Sequence, residues 1–153
     1  HEGNSSSLAI AAERLHREYN LSVLTVQACY VAQEMYGPSS GGLTHGGEIE
    51  TLAIMAAFPD LVHLDRVNYS SDDQHGSKMD KLRRTRAYQP VLTDIRAIAP
   101  TVWYGDPKKA TLEKGHKMIE DLATSISVRA EEIFALLEEV NGGLAILDKL
   151  KSE

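Results

Sequence analysis

Two short stretches carry residue types that could do chemistry: "HEGN" at residues 1–4 and "THGGEIET" at residues 44–51. In the second, His45 precedes two glycines, and Glu48 and Glu50 follow at the head of an apolar run. A histidine so placed can carry a proton or ligate a metal, since an unperturbed imidazole titrates near pH 6.5. Glu50 can ligate a hard or borderline cation through its carboxylate oxygens. In "HEGN" the histidine leads into a glycine turn, where Gly3 lets the backbone approach a ligand and His1 can aim a ring nitrogen at a metal. Plainer explanations stand beside these. Acidic residues in a first helical turn answer the positive end of the peptide dipole, and a terminal histidine can simply be solvated. Residues two apart do not share a helix face, so only one of Glu48 and Glu50 is expected to point into a pocket.

The elements that must position these groups follow from periodicity and punctuation. "NSSSLAIAAERLHREYN" predicts a helix ending near Asn20, with capping oxygens from Asn4 to Ser7 and Leu8, Ala11, Ala12 and Leu15 at helical spacing. "LSVLTVQACYV", from Leu21, is β-branched and apolar on both parities, the pattern of a strand covered on both faces. "QEMYGPSSGGLTH" then reads as a turn-rich loop leaving the strand end, where open α/β sheets carry ligands. "GGEIETLAIMAAF" is helical from Gly46 until Pro59 stops it, and "DLVHLDRV" is an irregular or short extended connection. Residues 68–90 are a long polar excursion, of the kind that forms lids, subunit contacts or disorder. "VLTDIRAIAPTVWYGDP" is weakly strand or loop. A long amphipathic helix is expected from Pro107, behind an Asp106 N-cap, to about Val140, with Gly142 and Gly143 past its end and "LAILDKLK" as a short final helix.

The 153 residues suit one domain with its own core, and 42% hydrophobic with 25% charged residues is the balance of a globular, water-soluble chain. A net charge of -6 gives no general attraction to nucleic acid or anionic lipid, so neither is expected as a partner. The short basic run "KLRRTR", residues 81–86, is read as a solvated face, with an anionic substrate or a neighbouring subunit as its other possible partners. Cys29 is the single cysteine, so no intrachain disulfide forms. With no signal peptide and no apolar stretch near the roughly 20 residues of a membrane span, a cytoplasmic location is expected.

Taken in order, "HEGN", "HGGEIETLAIMAAFPDLVHLDRV" and "YGDPKKATLEKGHKMIEDL" resemble the C-terminal half of the creatininase (creatinine amidohydrolase) family. That family shows Asn-Gly-His-Gly-Gly-Asn, then a His-Ala-Gly-Glu-x-Glu-Thr-Ser helix start with Pro-Asp-Leu-Val downstream, then Gly-Asp-Pro-x-x-Ala-Thr-x-x-Lys-Gly. The resemblance implies an α/β fold of layered helices around a mostly parallel sheet, in homo-oligomers, commonly hexamers. It implies two divalent metals per site, zinc with manganese or iron as alternatives. On it His1 and Glu50 fall at metal-binding positions, Glu50 directly or one shell out, and His45 falls on the histidine that moves protons. Gly3 stands where creatininase itself has a metal-binding Glu, the neighbouring Glu2 is a poor substitute on a regular strand, and Leu52 stands where the family usually has Ser. The family's remaining ligands, a Glu-x-His and an Asp, come from its N-terminal half. Residues 1–153 are therefore expected to be the C-terminal part of one creatininase-like domain, with the N-terminal part cleaved, on another chain or untraced.

The implied reaction is hydrolysis of an amide, cyclic amide or formamide bond, or of a cyclic ketone, in a small polar substrate. A metal-bound water attacks the carbonyl carbon and His45 shuttles the proton. Trp103 and Tyr104 line the pocket or pack beneath the last helix. The competing class is a non-catalytic assembly or regulatory subunit that keeps the fold without a complete metal site. Copper chelation by His1 as an amino-terminal residue belongs to disulfide-bearing β-sandwiches, which the helical periodicity and lone cysteine disfavour.

Overall fold

The computed structural model describes residues 2–40, 45–67 and 103–151. His1, "KLRRTR", the 68–90 excursion and residues 91–102 lie outside the described residues. Four helices carry the rest: α1 (Ser5–Tyr19), α2 (Ala28–Ser40), α3 (Glu48–Ala57) and α4 (Leu112–Lys151). The chain divides into two compact units, residues 1–28 with 123–153, and residues 29–122.

In the first unit, α1 starts from a 3-10 turn at Glu2–Asn4 and ends where Asn20 adopts a left-handed conformation, φ 53°, its N–H returning to the His16 carbonyl at 2.8 Å. His16 and Arg17 in the last turn face the negative end of the dipole. The helix stands where periodicity places it, but buries no residue: Leu8 and Leu15 of its apolar stripe are exposed. Gln27 donates to the Ser5 hydroxyl at 3.1 Å.

The strand expected from Leu21 does not form. Residues 20–27 have no regular structure, and α2 starts at Ala28 and runs through Gly37 and Pro38, over most of the segment read as a loop. An apolar run of this length suits a strand or a helix, and pairing decides between them. Among the described residues no strand offers that pairing, and the one extended contact is an isolated antiparallel bridge between His45 and Tyr104. The parallel sheet is thus absent from the described residues.

The second unit holds the buried side chains: Ala32, Ile49, Leu52, Tyr104, Ala110, Met118 and Leu122, together with Glu48. Ile49 and Leu52 come from α3 and Met118 and Leu122 from α4, spaced so that each pair lies on one helix face. After α3, "PDLVHLDR" folds into two 3-10 turns, Pro59–Leu61 and Leu64–Arg66.

The start of α4 differs from expectation. Pro107 opens a single 3-10 turn that closes at Lys109, and Ala110 is extended, with φ -70° and ψ 137°. The helix then begins at Leu112, and Thr111 caps it, its hydroxyl accepting the Lys114 N–H at 3.2 Å. Asp106 makes no side-chain cap; it lies 3.9 Å from the Lys109 ammonium. At the other end Gly142 and Gly143 do not stop the helix, which absorbs the separate segment expected after them. A helical glycine costs only about 1 kcal/mol against alanine, and the strong helix formers Leu144 and Ala145 follow this pair.

A polar cluster also sits in the second unit. The Tyr36 hydroxyl and the Lys117 ammonium both donate to Asp121, the latter at 2.7 Å. The bonds from Lys117 and then Tyr36 hold the Asp121 carboxyl below its usual value of 3.8. Burial, then Asp121, raises the Tyr36 phenol above 10.0, while Asp121 raises Lys117 above 10.5. A depressed carboxyl stabilises the fold above its unfolded value, and that contribution is lost as pH falls through the folded one. The raised phenol and ammonium contribute below their unfolded values and lose this as pH rises through the folded ones. Asp121→Asn is therefore expected to lower stability near neutrality and to flatten the loss in acid, measured by urea unfolding at about pH 7 and about pH 3.

Candidate functional site

The segment 45–50 is fastened by several distinct interactions. His45 and Tyr104 exchange both backbone bonds, His45 N–H to Tyr104 O at 3.2 Å and Tyr104 N–H to His45 O at 2.7 Å. Their rings lie 6.0 Å apart between centroids, tilted by 33°. Gly46 follows at φ +63°, a conformation that disfavours side chains, and a Cβ there would lie 2.9 Å from Trp103 Cβ. Gly47, extended, is the N-cap residue of α3, and its carbonyl accepts the Thr51 N–H at 3.0 Å.

The two carboxylates of the first turn then part. Glu50 is exposed, and its Oε2 accepts the Gly46 N–H. Glu48 points inward, with its side chain 0% exposed, and pairs through Oε1 with the Lys114 ammonium at the start of α4. Its Oε2 has no hydrogen-bond partner among the described residues. An unpaired buried acceptor costs about 1–3 kcal/mol, more when charged. One turn beyond Glu48, the helices meet at Gly115, whose missing Cβ would stand 2.7 Å from the Leu52 carbonyl oxygen.

Glu50 lies on the wall of a cavity of about 350 Å³, with Gly46, Thr51, His63, Trp103 and Pro107. Ile54, Leu61 and Leu64 complete a mostly apolar lining. A concave, largely apolar site with few polar groups is the usual form of a small-molecule pocket. The structure thus brings Glu50 and Trp103 together, adds His63, and leaves His45 off the lining, its backbone shaping the rim beside Gly46. Tyr104, the other aromatic read as lining or packing, is buried.

Sequence reasoning missed His63 and Lys114. His63 gave no signal beyond its residue type. Lys114 lies in "ATLEKGHK", and the need of a buried carboxylate for a cation was the clue that could have pointed to it. Among the described residues no three histidine, cysteine, aspartate or glutamate side chains gather so as to hold a metal ion. Glu50 is one donor with one oxygen already engaged, so the described side chains alone do not fit a metal centre.

No curated protein and no solved structure matches the chain. The sequence model of one family does match, that described as creatinine amidohydrolase, over residues 1–129. That span takes in all three motifs and every described residue that lines the cavity, from Gly46 to Pro107, and on it the chain belongs to the creatininase family.

Proposed function

We propose that this chain is the C-terminal part of a hydrolase that cleaves a C–N bond (amide, cyclic amide or formamide), or opens a cyclic ketone, in a small polar substrate. An amidohydrolase-type activity is the general property of the family to which it belongs. The observation that carries the reading is Glu50: a carboxylate oriented by the Gly46 N–H on the wall of an apolar cavity sized for a small ring. There a substrate N–H can donate to the carboxylate while Trp103 offers an apolar face. His45, one residue from the cavity wall, is proposed as the proton carrier.

The family is generally metal-dependent. We place its divalent ions, zinc with manganese or iron as alternatives, where Glu50 meets donors outside the described residues, His1 among them. Large apolar side chains left in solvent, Ile10 at 68% exposure, Phe58 at 61% and Leu61 at 67%, support completion by further polypeptide. We assign that role to the N-terminal part of the domain and to other copies in a homo-oligomer, a hexamer by family likeness. None of the described helices is long and apolar enough to cross a membrane. The cytoplasm is the proposed location, and the exposed free Cys29 is compatible with it.

The test is elemental analysis of the intact protein together with amine release from a panel of small cyclic amides and formamides and ring opening of cyclic ketones. Bound divalent metal and turnover of at least one compound are expected. A metal-free protein inert on every compound, with or without added zinc or manganese, would instead identify a non-catalytic assembly subunit.

A further inference from the structure

We infer that Lys114 is a positioning residue: by holding Glu48 inside the protein, it sets the first turn of α3 and thereby the Gly46–Glu50 contact on the cavity wall. Four observations meet here. The Glu48 side chain is wholly buried and has Lys114, 66 residues away, as its ion-pair partner. Lys114 is itself anchored, its N–H bound by the Thr111 cap. Its neighbour Gly115 rests against the Leu52 carbonyl, which fixes the height at which α4 presents the cation to α3. Glu48 and Glu50 belong to the same helical turn, so a displacement of one carboxylate's backbone moves the other's.

The pair is a poor device for stability alone. It buries a carboxylate with one oxygen unsatisfied among the described residues, and buried ion pairs are often replaced by apolar residues without loss of stability. What an apolar pair cannot reproduce is a directional tie between one point on α4 and one point on α3. Without it Glu50 and the Gly46 N–H lose their common frame, although α3 and α4 still meet where Gly115 lies against Leu52 and Ala56. The catalytic meaning of this tie rests on the function proposed above; the geometric claim does not.

The experiment compares the wild-type protein with E48M/K114M and K114R by the NMR position of the Gly46 amide proton at neutral pH, with melting temperature and turnover. In the wild type, and not in Glu50→Ala, this proton is expected downfield, because it donates to the Glu50 carboxylate. In E48M/K114M the melting temperature is expected to be equal or higher. The Gly46 proton moves upfield and turnover falls about 100-fold, the cost of a misplacement near 1 Å. K114R keeps the charge and the fold, but its planar, wider head shifts Glu48, so the same proton moves in the same direction by less. If the double variant does not fold, K114R decides alone. A Gly46 proton that is unmoved in a folded variant, or that Glu50→Ala leaves in its wild-type position, overturns the inference. A moved proton with unchanged turnover upholds it and refutes instead the part given to Glu50 in hydrolysis.

Discussion

Glu50→Gln is expected to lower kcat/KM by about 10²–10⁴-fold, the range for loss of a group that handles a proton or charge at the reacting centre. Stability should change by no more than about 0.5 kcal/mol, as for an exposed substitution away from the core. The reason lies in the surroundings of Glu50. Its side chain is exposed, and its Oε2 serves a single local donor, the Gly46 N–H. Glutamine has the same shape and keeps an acceptor oxygen, so the turn from Gly46 into α3 persists. The variant loses the negative charge on the cavity wall. Steady-state kinetics on the compound turned over by the wild type, beside thermal melting, provides the check. Full activity in the variant would remove Glu50 from the reaction and leave it as a helix-cap residue. A matched loss of activity and of melting temperature would show that the carboxylate serves the fold.

Gly115→Ala should destabilise the protein by about 1–3 kcal/mol, the usual cost of overpacking a tight contact. This inverts the ordinary rule, by which alanine in a helix interior is favoured over glycine by about 1 kcal/mol. An added Cβ would stand 2.7 Å from the Leu52 carbonyl oxygen and 3.4 Å from both the Cβ and the amide nitrogen of Ala56. These are mostly backbone atoms of α3, so no flexible side chain can swing away, and the two helices must separate. Separation costs burial of Leu52 and Met118, among the most deeply buried side chains of the second unit. Urea unfolding of the variant measures the loss, and a midpoint equal to or above wild type would contradict the packing described. The same variant should weaken the Lys114–Glu48 pair, since Lys114 is the preceding residue on α4.

Much of the local architecture was legible from residue order. α1 is bounded by signals within a few residues of its ends: polar residues ahead of Leu8 and an Asn able to turn left-handed at position 20. α3 was equally plain, with Gly47 before it, two glutamates in its first turn and Pro59 behind it. The three motifs were specific enough to indicate the family later shown by the match over residues 1–129. Each of these rests on short-range chemistry: capping, dipole, proline geometry and residue identity in fixed order.

Other features depended on partners far away in sequence. Whether the apolar run at 21–31 would be a strand was a question of whether another strand lay beside it, and among the described residues none does. The start of α4 shifted from Pro107 to Leu112 because a proline-opened 3-10 turn closed on itself and Thr111 supplied the cap. The capping signal at Asp106 was real in type and wrong in place.

By itself, the sequence determined the family, the helix that carries Glu48 and Glu50, and the types of group available for chemistry. Only the tertiary structure decided that Glu50 would face the cavity with His63 and Trp103, while Glu48 turned inward to Lys114. Two identical side chains in one turn differ only in what stands opposite them. That is set by helix packing between segments over 60 residues apart, where a glycine contact and a buried charge choose the angle.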